Sequence, residues 1–254
     1  MRVISVVAIL SFVAIYFIGT FYLSDVLFGP RGGTLDFDTP IESFIATNDT
    51  GSNTSVTMYV PAVNSNKEGV LSTINVDIVP GFGRPLVNID NILFWVDTQT
   101  SIRTSRQIAG GVTGSDLSNY DMIYTIEADA SVIEGGSAGA ALTVATVAAL
   151  TNKTPNTSVM MTGTIRSDGS IGPIGEVTAK AKVAKEHGII LFLVPLQQST
   201  EIKQRSQETC RKIGEREICT TETVPYRVNV AEEAGLAVKE IATVQEALFY
   251  FLEE

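Results

Sequence analysis

The sequence predicts an α+β domain, a mixed sheet with helices, preceded by one N-terminal transmembrane helix. Three observations predict it. A charge-free apolar run opens the chain. Strand-like segments come paired early and alternate with helical patterns late. A run of small residues, "GAALTVATVAAL", is apolar nearly all round, which is the pattern of a buried helix.

The opening run comes first. After Met1 and Arg2 stands "VISVVAILSFVAIYFIGTFYL", and no charge follows until Asp25. A helix crosses a bilayer with about 20 apolar residues, and this run is long enough. A signal peptide has an apolar region of about 7–15 residues and a small-x-small site, and Gly19 to Ser24 offers no convincing one. Residues 1–24 are therefore expected to be an uncleaved membrane anchor, with a removed signal peptide as the alternative. Arg2 and the α-amino group precede the span, which places the N-terminus in the cytoplasm and the rest outside. The expectation is a single-pass membrane protein with an extracytoplasmic domain. Two features agree with it. Cys210 and Cys219 flank "RKIGEREI", which suits a disulfide closing a hairpin in an oxidising compartment, although two unpaired thiols remain an alternative. Glycosylation sequons occur at Asn48, Asn53, Asn152 and Asn156.

Residues 25–54 are rich in Gly, Ser, Thr, Asn and Asp and read as a flexible tether. The folded domain is expected over 55–254. "SVTMYVPAV" is strand-like. "STINVDIVP" alternates, with Ile74, Val76 and Ile78 on one face. "PGFGRP" is a turn, and "LVNIDNILFWVD" resumes β character. "TQTSIRTSRQIAGGV" reads as a helix ended by Gly110 and Gly111. "DMIYTIEA" alternates again, with Met122, Tyr124 and Ile126 in phase. The buried helix follows. "TSVMMTGTI" is a strand and "RSDGSIGPIG" a Gly/Pro-rich turn. "EVTAKAKVAKEHG" is a helix, "IILFLVP" a buried strand. A polar helix, the cysteine hairpin and "YRVNV" come next. The last helix opens with a capping box, Thr243 to Glu246.

Net charge is −10, and no basic patch stands out, which argues against nucleic-acid binding. Chemistry concentrates in "IEGGSAGAAL". Ser137 lies between glycines at the mouth of the buried helix. Glycines permit a sharp turn and close substrate approach. A helix N-terminus offers N–H groups and a positive dipole end to a developing oxyanion. The alternative is that Ser137 is only a helix cap. Two bases could serve it. The pentapeptide Gly135–Gly139 satisfies G-x-S-x-G, so an α/β-hydrolase triad of Ser137, Asp168 and His187 is one arrangement. But "KEHG" is an ordinary helix C-cap and Asp168 sits in turn chemistry. The other base is a lysine. On a wheel of about 100° per residue, Val177, Ala181, Val183 and Ala184 share an arc with Lys180 in its middle, whereas Lys182 and Lys185 point elsewhere. An inward lysine loses solvation of its charged form and becomes a neutral base. A snorkelling Lys180 is the alternative.

These residues resemble a known family. "EGGSAGAALTVA", followed by "MTGTIRSDGSIGPIGEVTAKAKVAKEHGI", is similar to the proteolytic domain of Lon proteases, in the archaeal-type form. "EGVLSTINVDIVPGFGRPLV" and "VDTQTSIRTSRQIA" share the likeness. The resemblance implies a Ser–Lys dyad of Ser137 and Lys180, which stand 43 positions apart. It implies that Thr162 hydrogen-bonds the lysine. The acidic residue three before the serine is usually Asp in the family and is Glu134 here. The second glycine of the family's Pro-Ile-Gly-Gly motif is replaced by Glu176. The histidines that the family carries upstream of the serine are absent from "MIYTIEADASVIE". The region around Gly136, Ala138 and Glu134 is expected to hold the oxyanion or the substrate.

No G-x-x-x-x-G-K-[ST] occurs, so no phosphate-cradling loop or ATPase module is expected in this chain, and no metal or cofactor is implied. The resulting expectation is an ATP-independent, membrane-tethered serine endopeptidase acting on flexible or unfolded polypeptides. A homo-oligomeric ring is expected by analogy with the family. The rival is a catalytically inactive binding or assembly domain on the same scaffold.

Overall fold

Alternation of apolar and polar side chains builds the first layer. The computed structural model describes residues 53–88, 93–94, 96–128, 132–133, 136–214 and 216–252, all within the unit Phe37–Glu254. Strand β1 (Thr54–Val63) buries Val56, Met58 and Val60, and β2 (Gly69–Pro80) buries Ile74, Val76 and Ile78. After β3 (Pro85–Asn88), β4 (Leu93–Phe94) and helix α1 (Val96–Thr113), strand β5 (Tyr120–Ala128) buries Met122, Tyr124 and Ile126. Each set takes every second position and so shares one face. The sheet order is β1-β2-β5-β3, with only the β3–β5 pair parallel, so the sheet is mixed as expected.

Helix α1 differs from its predicted end. It runs through Gly110 and Gly111 to Thr113, and the chain turns at Gly114 with φ 66°. A Cβ on Gly110 would stand 2.7 Å from Leu117 Cδ1. The glycine is thus a close-packing residue inside the helix rather than its stop, an advantage that offsets a propensity cost of about 1 kcal/mol.

Strand β6 (Val132–Ile133) pairs in parallel with β4. Helix α2 (Gly139–Leu150) then runs through the centre with every residue but the last buried, packed on α1, β1 and β2. The predicted single strand "TSVMMTGTI" is two pieces, β7 (Val159–Met161) and β8 (Thr164–Ile165). Between them Gly163 adopts φ 152° and spends its N–H and C=O on the start of α2 rather than on a neighbouring strand. Strand β9 (Ile171–Gly172) closes an antiparallel hairpin on β8.

Helix α3 (Val177–Glu186) and strand β10 (Leu191–Pro195) come next. The predicted polar helix after them is absent. Residues 200–213 form β11 (Thr200–Ile213), which pairs along its whole length with β12 (Arg216–Asn229). Its Glu, Lys, Gln and Arg residues favour a helix locally, but cross-strand pairing and a Cys210–Cys219 disulfide hold it extended. At 14 residues per strand the ribbon reaches roughly 46 Å. Helix α4 (Val230–Ala234), strand β13 (Ala237–Ile241) and helix α5 (Val244–Leu252) finish the chain. The second sheet, β13-β10-β7, is wholly parallel. Its face packs on α3 through Met160, Val177, Ala181, Ala184, Phe192 and Val194. Half of the expected capping box of α5 is present: Thr243 Oγ1 accepts the Glu246 N–H at 3.3 Å, whereas Glu246 Oε2 reaches one residue further back, to the Ala242 N–H at 2.7 Å.

The predicted anchor (1–24) and all but the last two residues of the predicted tether (25–54) lie outside the described residues. Among the described residues, no helix is long and apolar enough to cross a membrane.

Candidate active site

Glycine and alanine place the serine. Ser137 is the middle residue of a 3-10 turn, Gly136–Ala138, that leads straight into α2. Bulkier residues would not fit. A Cβ on Gly139 would stand 2.7 Å from Ile165 Cγ2 and 3.0 Å from the Ile165 amide, and one on Gly136 would stand 2.9 Å from Ser101 Oγ. The turn is tied on two sides. From α1, the Ser105 hydroxyl donates to the Gly139 carbonyl at 3.0 Å. From the β7–β8 crossing, the Gly163 N–H donates to the Ser137 carbonyl at 2.9 Å, and the Ala140 N–H donates back to the Gly163 carbonyl at 3.0 Å.

Helix α3 brings the lysine. Its buried face holds Val177, Thr178, Ala181, Val183 and Ala184, with Lys180 among them at 2% exposure. Lys182 and Lys185 face solvent, and Lys182 pairs with Glu233 at 2.7 Å. Lys180 Nζ donates to Ser137 Oγ at 2.8 Å. Burial disfavours the ammonium and pushes the amine down from 10.5 to about 8, against a smaller upward pull from the Glu176 carboxylate.

Thr162 is also in the site, with a different partner from the one the resemblance implies. Its hydroxyl donates to the Ser137 carbonyl at 3.2 Å, because the break at Gly163 sets it beneath the serine turn. It therefore braces the serine's backbone, not the lysine's amine. Glu134 and Gly135 lie outside the described residues. Glu176 occupies the position before α3 with φ 56°, a left-handed conformation, which is why a glycine suits that place. Its carboxylate pairs with Lys67 at 2.9 Å.

The triad arrangement is not assembled. Asp168 accepts from the Ser170 amide and hydroxyl at 2.9 and 2.6 Å, within its own turn. His187 caps the far end of α3, with Nδ1 2.8 Å from the Val183 carbonyl. That is seven residues, or roughly 10 Å of helix, beyond Lys180.

Comparisons with known proteins place the chain in a family. The profile of the Lon protease (S16) C-terminal proteolytic domain matches residues 96–225, half of the chain, and both Ser137 and Lys180 lie within the match. The chain belongs to this family. Archaeal Lon protease of Thermoplasma volcanium is 36% identical over 84 residues, 33% of this chain and 13% of that protein. Lon protease of Phenylobacterium zucineum is 32% identical over 139 residues, 55% of this chain and 17% of its own length. Archaeal Lon protease of Thermococcus kodakarensis is 30% identical over 136 residues, 53% of this chain and 21% of its own. The chain spans about a fifth or less of the length of these relatives.

Four further residues shape the site without having stood out in the sequence. Ser101 and Ser105 lie one turn apart on the buried stripe of α1, and small hydroxyls on such a stripe are a usable signal. Gln198 and Glu201 act from beyond β10, at a sequence distance of 23 to 24 residues, which no local pattern reveals.

Proposed function

We propose that the chain is a membrane-anchored serine endopeptidase that cuts flexible or unfolded polypeptides with a Ser137–Lys180 dyad and without hydrolysing ATP. The single observation that carries this reading is the 2.8 Å bond between a buried lysine amine and a serine hydroxyl at a helix N-terminus. The lowered amine decides which base can work. With a pKa of about 8, about a quarter of the lysine is neutral at pH 7.5, against about one part in a thousand at 10.5.

The proposed sequence is short. Lys180 takes the hydroxyl proton as Ser137 Oγ attacks the scissile carbonyl. The amides of Gly136 to Ala138, at the positive end of α2, stabilise the oxyanion. Collapse breaks the C–N bond, and the Lys180 ammonium gives its proton to the leaving amine. Water, deprotonated by the same amine, then attacks the acyl carbonyl; the C–Oγ bond breaks and the Lys180 ammonium returns its proton to Ser137 Oγ. Thr162 positions the serine. The Cys210–Cys219 disulfide supports an oxidising, extracytoplasmic setting for the domain. Kinship with Lon proteases supports a polypeptide substrate and a homo-oligomer, which sedimentation of the purified chain reads.

The test uses the full-length chain with an unstructured protein substrate and no nucleotide, beside Ser137→Ala and Lys180→Ala. Cleavage by the wild type alone is expected. Cleavage that survives Lys180→Ala in a folded protein, or none by any of the three, refutes the dyad.

A further inference from the structure

We infer that Glu201 is a positioning residue for the lysine: its carboxylate, at the base of the β11–β12 ribbon, supplies the N-cap that α3 lacks and so fixes where Lys180 points. This rests on the Ser–Lys reading above. The first amides of any helix need acceptors from outside it. In α3 the residue at the capping position, Glu176, is left-handed and makes no side-chain cap, and its carboxylate is engaged with Lys67. Glu201 fills the gap from across the fold. Its Oε1 accepts the Val177 N–H at 3.2 Å, and its Oε2 accepts the Thr178 N–H at 3.1 Å. The Thr178 hydroxyl, fully buried, donates to the same Oε2.

A second residue of the same segment holds the chain just before the helix. Gln198 brackets Ile174, accepting its N–H at 2.9 Å and donating to its carbonyl at 2.7 Å. Residues 174–178 are thereby pinned on both sides of the strained Glu176, and Lys180 follows two residues after Thr178. A negative group also suits the positive end of α3. The carboxylate whose charge acts on the amine itself is that of Glu176. Glu201 therefore works through helix placement, not through a direct pull on the proton.

Removing the cap frays the first turn of α3, the turn that carries the lysine. The 2.8 Å contact with Ser137 lengthens and water reaches the amine. Both changes move the amine back toward its solvated behaviour. A merely structural cap would lower stability and leave the titration alone.

The experiment reads two things in the full-length chain: the pH dependence of Ser137 labelling by a fluorophosphonate probe, and the Lys180 titration by NMR of lysine carrying carbon-13 at Cε. The Lys180 signal is the one that Lys180→Met removes. Wild-type labelling is expected to rise with pH through a midpoint near 8. E201A is expected to raise both midpoints by about one unit and to slow labelling at pH 7.5 about tenfold, with E201Q in between. Asn229→Ala is the control: Asn229 caps α4 by accepting the Glu232 N–H at 3.2 Å, and its loss is expected to lower stability with the midpoints unmoved. Unmoved midpoints in E201A overturn the inference, as do unmoved midpoints in E201Q if E201A does not fold. If the wild type is not labelled at all, the peptidase reading fails, and the Lys180 titration alone still decides whether Glu201 positions the amine.

Discussion

Replacing Lys180 by methionine is predicted to stabilise the protein at neutral pH. The amine titrates near 8 in the fold and at 10.5 when solvated. Between those values the unfolded chain binds more protons than the folded one, so stability rises with pH across that window. The burial penalty is fully present below pH 8 and gone above 10.5. It amounts to about 3 kcal/mol at pH 7, about 2 at pH 9 and under about 1 at pH 10. Methionine keeps a long flexible stem without the charge. It forfeits the bond to Ser137, a loss of about 1 kcal/mol. The net expectation is a gain of about 2 kcal/mol at pH 7 that fades to about zero at pH 10. Urea unfolding of both proteins at pH 7, 9 and 10 measures it. A difference that does not change with pH, or a wild type that is the more stable at pH 7, would refute the account of a buried, depressed amine.

Three other perturbations follow from the same geometry. Glu176→Gly removes the carboxylate that pulls the amine upward, so the midpoint of Ser137 labelling is expected to fall below 8; relief of the left-handed residue and loss of an exposed ion pair nearly cancel, leaving stability within about 1 kcal/mol of wild type. Gly139→Ala puts a Cβ against Ile165, and is expected to slow labelling more than tenfold and to cost about 1–3 kcal/mol by thermal or urea unfolding. Reduction of Cys210–Cys219, roughly 30 Å along the ribbon from Glu201, is expected to raise amide exchange at the ribbon tip while leaving the labelling profile within twofold.

What the sequence revealed and what it hid divide along one physical line. Periodicity is local, and it located β1, β2, β5, α2 and α3 together with the inward face of Lys180. Pairing across the chain is not local. Nothing within residues 200–213 announces a strand, since Glu, Lys, Gln and Arg are good helix formers; only the register with 216–229 makes them one. The same limit hid Glu201, whose partners lie 23 and 24 residues away. Gly110 misled because a glycine marks either a helix end or a close contact, and only Leu117 tells them apart. Thr162 stands where its motif puts it, but its hydroxyl meets the Ser137 carbonyl and not the lysine, a partner set by where Gly163 breaks the strand.

Two unfavourable terms of this fold meet at α3, and that bears on whether the domain is an enzyme or an inert scaffold. Buried polar groups are otherwise well served. Among the described residues only Ser72 Oγ, Thr98 Oγ1 and Arg106 Nε are buried side-chain atoms without a hydrogen-bond partner. Tyr124, the largest fully buried side chain among the described residues, reaches the Thr146 hydroxyl at 3.2 Å. At α3 a left-handed Glu176, one of four such non-glycine residues among those described, costs about 1–2 kcal/mol, and an amine is buried at about 3 kcal/mol near neutral pH. A binding scaffold would gain by placing methionine or leucine at Lys180, in a face that already holds Val177, Ala181 and Ala184. The cost fits the proposed use of the neutral amine as a base. Among the described residues its side-chain partner is a serine hydroxyl set at the positive end of a buried helix, and moving that proton is the chemistry proposed for the pair.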